Sequence, residues 1–132
     1  MPSLENALGL HEMALRLRSR RTEVLASNIA NADTPYFKAR DFDFHAVLSD
    51  YRADPGADAP VMTNGRHIGQ AVAGDFSPLL QYRNPYHSSV DGNTVDGQVE
   101  KTKFMENSLH YQSTVAFIDG KIKGLRKAIK GE

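Results

Sequence analysis

The chain has 132 residues, 40% of them apolar and 24% charged, with no Cys and no Trp. Its length suggests one domain, and the missing Cys excludes disulfides, thiolate metal sites and cysteine nucleophiles. The net charge of zero is unevenly spread, with balances of +2 over residues 1–40, −5 over 41–96 and +3 over 97–132; basic ends around an acidic middle can steer copies together.

The opening residues MPSLENALGLHEMALRLRSRR lack a basic segment followed by an apolar one, so no cleavable secretory signal is expected. No run of 18 apolar residues is present, and no membrane span is expected. Pro occurs at 2, 35, 55, 60, 78 and 85. Long uninterrupted helices therefore fit only the two ends.

A first helix is predicted from about Leu4 to Ala30, with Ser3 as cap. Leu4, Leu8, His11, Leu15, Arg18, Thr22, Leu25 and Ile29 follow a four-three spacing. A second row, Ala7, Leu10, Ala14, Leu17, Arg21 and Val24, lies beside it and widens the apolar arc beyond one seam. Arg18 and Arg21 interrupt that arc, either by snorkelling or by meeting carboxylates on a partner helix.

The helix ends in LASNIANADTPYFK. Asn28 and Asn31 can bond backbone groups there, and Pro35 stops the helix. Tyr36 and Phe37 then offer aromatic anchors. The acidic residues Asp41, Asp43, Asp50, Asp54 and Asp58 read as solvated loop charges. Phe44 to Leu48 reads as a short buried helical turn. The middle is rich in turn formers, and Val61 to Ile68 could form a hairpin around Asn64-Gly65. Residues 49–60 and 83–97 look like loop.

A second helix is predicted from about Gly97 to Ile129, capped by Asp96 or Thr94. Phe104, Ser108, Tyr111, Val115, Ile118, Ile122, Leu125 and Ile129 repeat the four-three spacing, as a coiled-coil seam does. Ile118, Ile122 and Leu125 are expected to face Leu15 and Leu8 of the first helix. Gly120 and Gly124, on the other side, suit either a close helix contact or a frayed end. The fold class is mainly α: terminal helices pairing as a coiled-coil-like bundle, with an irregular middle that has room for a short β-hairpin. The organisation is 1–34, 35–96 and 97–132, forming one assembly domain.

No constellation supports catalysis. The five His are not at metal-ligand spacing, and no HExxH, nucleophile elbow or phosphate-binding Gly loop occurs. No cofactor or metal is expected. The basic residues Lys121, Lys123, Arg126, Lys127 and Lys130 complement the helix dipole, so nucleic acid is not an expected partner.

As a string, Asn28-Ile29-Ala30-Asn31 followed by Thr34-Pro35 and Phe37-Lys38 resembles the N-terminal signature of bacterial flagellar axial proteins. Asp91 to Asp96 with Val99-Glu100, and then Met105 to Gln112, resemble that family's C-terminal helix and its lead-in. The short length and the tail Asp119 to Arg126 are closest to the proximal rod branch. The resemblance implies a structural, non-enzymatic subunit of the basal-body rod that self-associates through its terminal helices. Implied partners are other rod subunits, the rod/membrane-ring junction protein and the flagellar type III export apparatus. The implied location is the rod in the periplasmic space. Interface residues would be Leu4, Leu8, Leu15, Leu25, Ile29, Phe104, Tyr111, Val115, Ile118, Ile122, Leu125 and Ile129. Phe44 and Leu48 resemble the family's export signal. Another axial subunit or a cytoplasmic coiled-coil adaptor are the alternatives; the adaptor shares the heptads but not the paired motifs.

Overall fold

The computed structural model describes residues 4–53, 78–85, 87 and 89–131. The hairpin expected at 61–68 and the cap expected at Ser3 lie outside the described residues. In chain order come α1 (Leu4–Ala30), β1 (Arg40–Asp41), α2 (Phe44–Ala53), β2 (Gln81–Tyr82) and α3 (Gly97–Lys130).

The two long helices stand where the Pro-free stretches allow them. Asp96 begins α3, its carboxylate accepting the Gln98 and Val99 N–H groups at 3.0 and 3.2 Å. Left-handed Gly131 ends it, returning its N–H to the Lys127 carbonyl at 3.0 Å. The helices run antiparallel: Asn28 of α1 meets Glu100 of α3, while Arg18 and Thr22 meet Asn107.

The short helix α2 is longer than the single turn expected, taking in residues first read as loop. Asp43 caps it, accepting N–H bonds from His45 and Ala46 at 3.0 Å. Its apolar side closes the hydrophobic core on α1. Met13, Ala14, Leu17, Phe42 and Phe44 are buried together, with Val47, Leu48 and Tyr51 packed against them. Ala14 and Leu17 of the second row of α1 thus serve α2 and Arg21 of that row serves β1, while Thr22 of the first row reaches α3. Arg18 lies over the Phe44 ring at 4.3 Å, so its charge faces an aromatic cloud while its stem packs.

The small sheet is not a hairpin. β1 and β2 pair antiparallel across a long connection, Arg40 opposite Tyr82 and Asp41 opposite Gln81. One further ladder bond, from the Arg83 N–H to the Ala39 carbonyl at 2.9 Å, carries Arg83 beside Asp41. Ala39 is completely buried beneath it.

Candidate functional site

Two stretches far apart in sequence form a single knot at the end of α1. The exit from α1 tightens through N–H bonds from Asn31 and Ala32 to carbonyls three and four residues back. Asn31 also donates its side-chain amide to the Ser27 carbonyl at 2.8 Å and accepts from the Thr34 hydroxyl at 3.1 Å.

Asn93 then comes in from the second stretch. Its amide nitrogen sits 3.0, 2.8 and 2.9 Å from the carbonyls of Asn31, Ala32 and Thr34. Its own oxygen accepts the Val95 N–H at 2.7 Å. Further bonds join Tyr36 N–H to the Asp91 carbonyl, Thr94 N–H to the Phe37 carbonyl, and Lys38 Nζ to the Gly92 carbonyl. Ala39 N–H reaches the Thr94 hydroxyl at 2.8 Å. The motif 28–38 and the lead-in 91–96 are therefore two halves of one structure.

Tyr36 and Gly92 touch at this knot with left-handed φ of 61° and 72°. A Cβ on Gly92 would come within 2.9 Å of the Tyr36 ring, so only Gly fits there. Tyr36 itself is 79% exposed, and Phe37 is half-buried beside a groove of about 300 Å³ lined by Val24, Asn28, Arg40 and Leu80.

Beneath the knot runs a buried charged network. Asn28 does not turn to the helix end as expected. Its amide donates to the Arg40 carbonyl at 2.7 Å and to Glu100 at 3.0 Å, and its oxygen accepts the Arg40 N–H at 3.1 Å. Arg21 grips Asp41 with two bonds of 3.1 and 3.0 Å. Arg83 spans the carboxylates, bonding Asp41 at 2.5 Å and pairing with Glu100. The carboxylates expected on a partner helix thus come, for Arg21, from the chain's own β1.

Asp41, expected to be solvated, is 14% exposed at its side chain. Burial pushes its pKa up. The Arg21 hydrogen bond and charge, the Phe42 N–H and the Arg83 bond outweigh that and hold it below the usual value. Two arginines match two carboxylates, Lys103 lies close enough to feel all four charges, and each carboxylate oxygen has a donor, as burial of ions requires.

Along α3, the side turned to α1 carries Glu100, Asn107 and Thr114, all buried and seven residues apart. Asn107 donates to the Arg18 carbonyl and to the Thr22 hydroxyl, each at 2.9 Å. Phe104, Ile118 and Leu125 are half-buried along the same side. Tyr111 and Val115 are exposed, Ile122 is 46% exposed and Ile129 86%. On α1, Leu25 is fully buried, and Leu8, Leu15 and Ile29 are half-buried. The side-chain setting of Leu4 lies outside the described residues. The seam thus shares Phe104, Ile118 and Leu125 with the apolar series, but takes Asn107 and Thr114 where that series takes Ser108 and Val115. Ranking positions by apolarity selected the neighbouring row; the polar heptad at 100, 107 and 114 was the signal for the buried one.

Among the described residues, no helix is long and apolar enough to cross a membrane, and no group of three His, Asp or Glu could hold a metal. Phe44 is buried in the core and Leu48 packs against it. A Cβ at Gly120 or Gly124 would meet open space among the described residues, so neither marks a close contact there.

The model of a family described as flagella basal body rod protein matches residues 8–38, which hold most of α1 and the first half of the knot. The flagellar basal body rod protein FlgB of Aeromonas hydrophila is 48% identical over 131 residues, covering 98% of this chain and 97% of the relative. FlgB of Cereibacter sphaeroides is 45% identical over 135 residues and covers both chains fully. FlgB of Escherichia coli (strain K12) is 42% identical over 134 residues, covering 98% and 97%. Since this likeness runs the whole length and takes in both halves of the knot, the chain belongs to the FlgB family of flagellar basal body rod proteins, which are structural subunits and not enzymes.

Proposed function

We propose that this rod subunit joins its neighbours through the uncovered apolar row of α3, with the paired ends 1–34 and 97–132 acting as one assembly domain. The observation that carries the proposal is the line Tyr111, Val115, Ile122 and Ile129, which stays partly or largely open to solvent along the edge of the α1–α3 seam. Apolar surface arranged in such a line marks an interaction site. An open-ended rod needs contacts that do not close on themselves, and an apolar edge left open beside the seam supplies one.

The neighbours on this reading are other rod subunits, further copies of the chain and the rod/membrane-ring junction protein. Delivery to the periplasmic rod falls to the type III export apparatus, with Phe44 and Leu48 as its recognition elements. Because both side chains pack into the core of the folded chain, that recognition belongs to the unfolded chain.

Ile122→Asp tests the assembly face. Ile122 is half open in the single chain, so the isolated variant should keep its stability within about 1 kcal/mol. Cells carrying it should build no rod and should not swim. Normal motility would overturn the proposal.

A further inference from the structure

We propose that the polar residues of the α1–α3 seam form a rotational lock, which keeps α3 turned with its polar heptad at the centre of the seam and the neighbouring apolar row at its open edge. Burial of Asn107 is otherwise hard to explain. It lies 2% exposed on a helix whose neighbouring row offers Val115 and Ile122, and its amide oxygen has no partner among the described residues. Apolar burial alone would roll α3 toward that row. A half-satisfied buried amide lowers stability and is retained where it specifies geometry.

The chemistry of the lock is specific at each level. Glu100 can only accept, and it meets donors, the Asn28 amide and the Arg83 guanidinium. Asn107 presents its donor, and it meets acceptors, the Arg18 carbonyl and the Thr22 oxygen. The Thr22 hydroxyl hydrogen is already committed to the Arg18 carbonyl at 3.0 Å, so only a donor on α3 fits beside it. Thr114 needs nothing from α1, its hydroxyl donating to the His110 carbonyl one turn back. Rolling α3 would break the bonds at Glu100 and Asn107 together and strand their partners. The lock therefore leaves that row at the open edge of the seam. Its purpose rests on reading that row as the assembly face, while its existence does not.

The absence of native Cys allows the lock to be tested by thiol labelling of the full chain in dilute solution. Thr114→Cys and Val115→Cys report opposite sides of the roll. In the parent, Val115→Cys should label at least tenfold faster than Thr114→Cys. Asn107→Asp keeps the shape but turns the donor into an acceptor facing the Arg18 carbonyl. The lock predicts that the two rates move toward each other or invert, with helical circular dichroism retained. Unchanged rates overturn it. So does acceleration at both sites, which would mean that Asn107 holds the helices together without choosing a face. A rolled helix whose Ile122→Asp version still supports motility would leave the lock standing and remove only the assembly reading.

Discussion

The side-chain amide of Asn28 pairs with the peptide of Arg40 as one strand pairs with the next, giving an N–H to the carbonyl and taking the N–H in return. Its second amide hydrogen goes to Glu100, so all its capacity for polar contact but one lone pair is used at 1% exposure. Asp at this position cannot donate and would set a second carboxylate against Glu100. Asn28→Asp should therefore cost about 3–5 kcal/mol, the penalty for an uncompensated buried charge. Asn28→Ala should cost about 2–3 kcal/mol, since it only leaves partners unpaired. Urea unfolding followed by circular dichroism measures both, and equal losses would contradict this account.

Acid should loosen the charged network before it affects the helices. The folded pKa of Asp41 lies below its unfolded value, so its contribution is present above the ordinary carboxylate range and is lost as pH falls through the folded value. Stability should be level from pH 7 to about 5 and fall below about 4. Asp41→Asn should lower the plateau and flatten the fall. Parallel curves for the two proteins would rule out Asp41 as the source.

Tyr36 and Gly92 should behave as a coupled pair. Gly92→Ala places a methyl against the Tyr36 ring in a left-handed backbone, which should cost about 1–3 kcal/mol. Tyr36→Gly releases a side chain from the same disfavoured region and should be neutral or stabilising by up to about 1 kcal/mol. In the double variant the Gly92→Ala cost should shrink, because the ring it meets is gone. A double-mutant cycle by thermal unfolding reads the coupling directly.

Secretion and folding can be separated at Phe44 and Leu48. Both pack in the core, so replacing the two by Ala should destabilise the fold by about 5–8 kcal/mol as well as lower secretion. Leu17→Ala empties the same core from α1 at about 3–5 kcal/mol without touching the proposed signal. Secretion assayed in strains making each protein should fall for the first and hold for the second. Equal secretion of both would remove the signal.

Much of this architecture was legible in the sequence because its cues are local. Pro spacing, the Asp96 cap and the heptad rows each act within a few residues, and they place α1 and α3 to within a residue. The export-like segment was correctly read as helical, though α2 runs further than one turn. What the sequence did not reveal depends on distant partners. Asp41 looks like any loop acid until Arg83 arrives by way of a two-residue ribbon. Asn28 looks like a helix stop until Arg40 and Glu100 are beside it. On α3, the apolar series pointed to Val115 and Ile122, but bonds from Asn107 to the α1 backbone decided which row is buried.

The reach of Asn93 sets an order of events for the newly made chain. The carbonyls it gathers lie 59 to 62 residues earlier, so α1 can have no finished end until that later stretch is present. Contacts between α1 and α2 close a much shorter loop and can form first. A chain halted before residue 93 would hold a formed core beside a fraying terminus. Completion then comes late, with the helix exit waiting on Asn93 and the charged cluster on Glu100 beyond it.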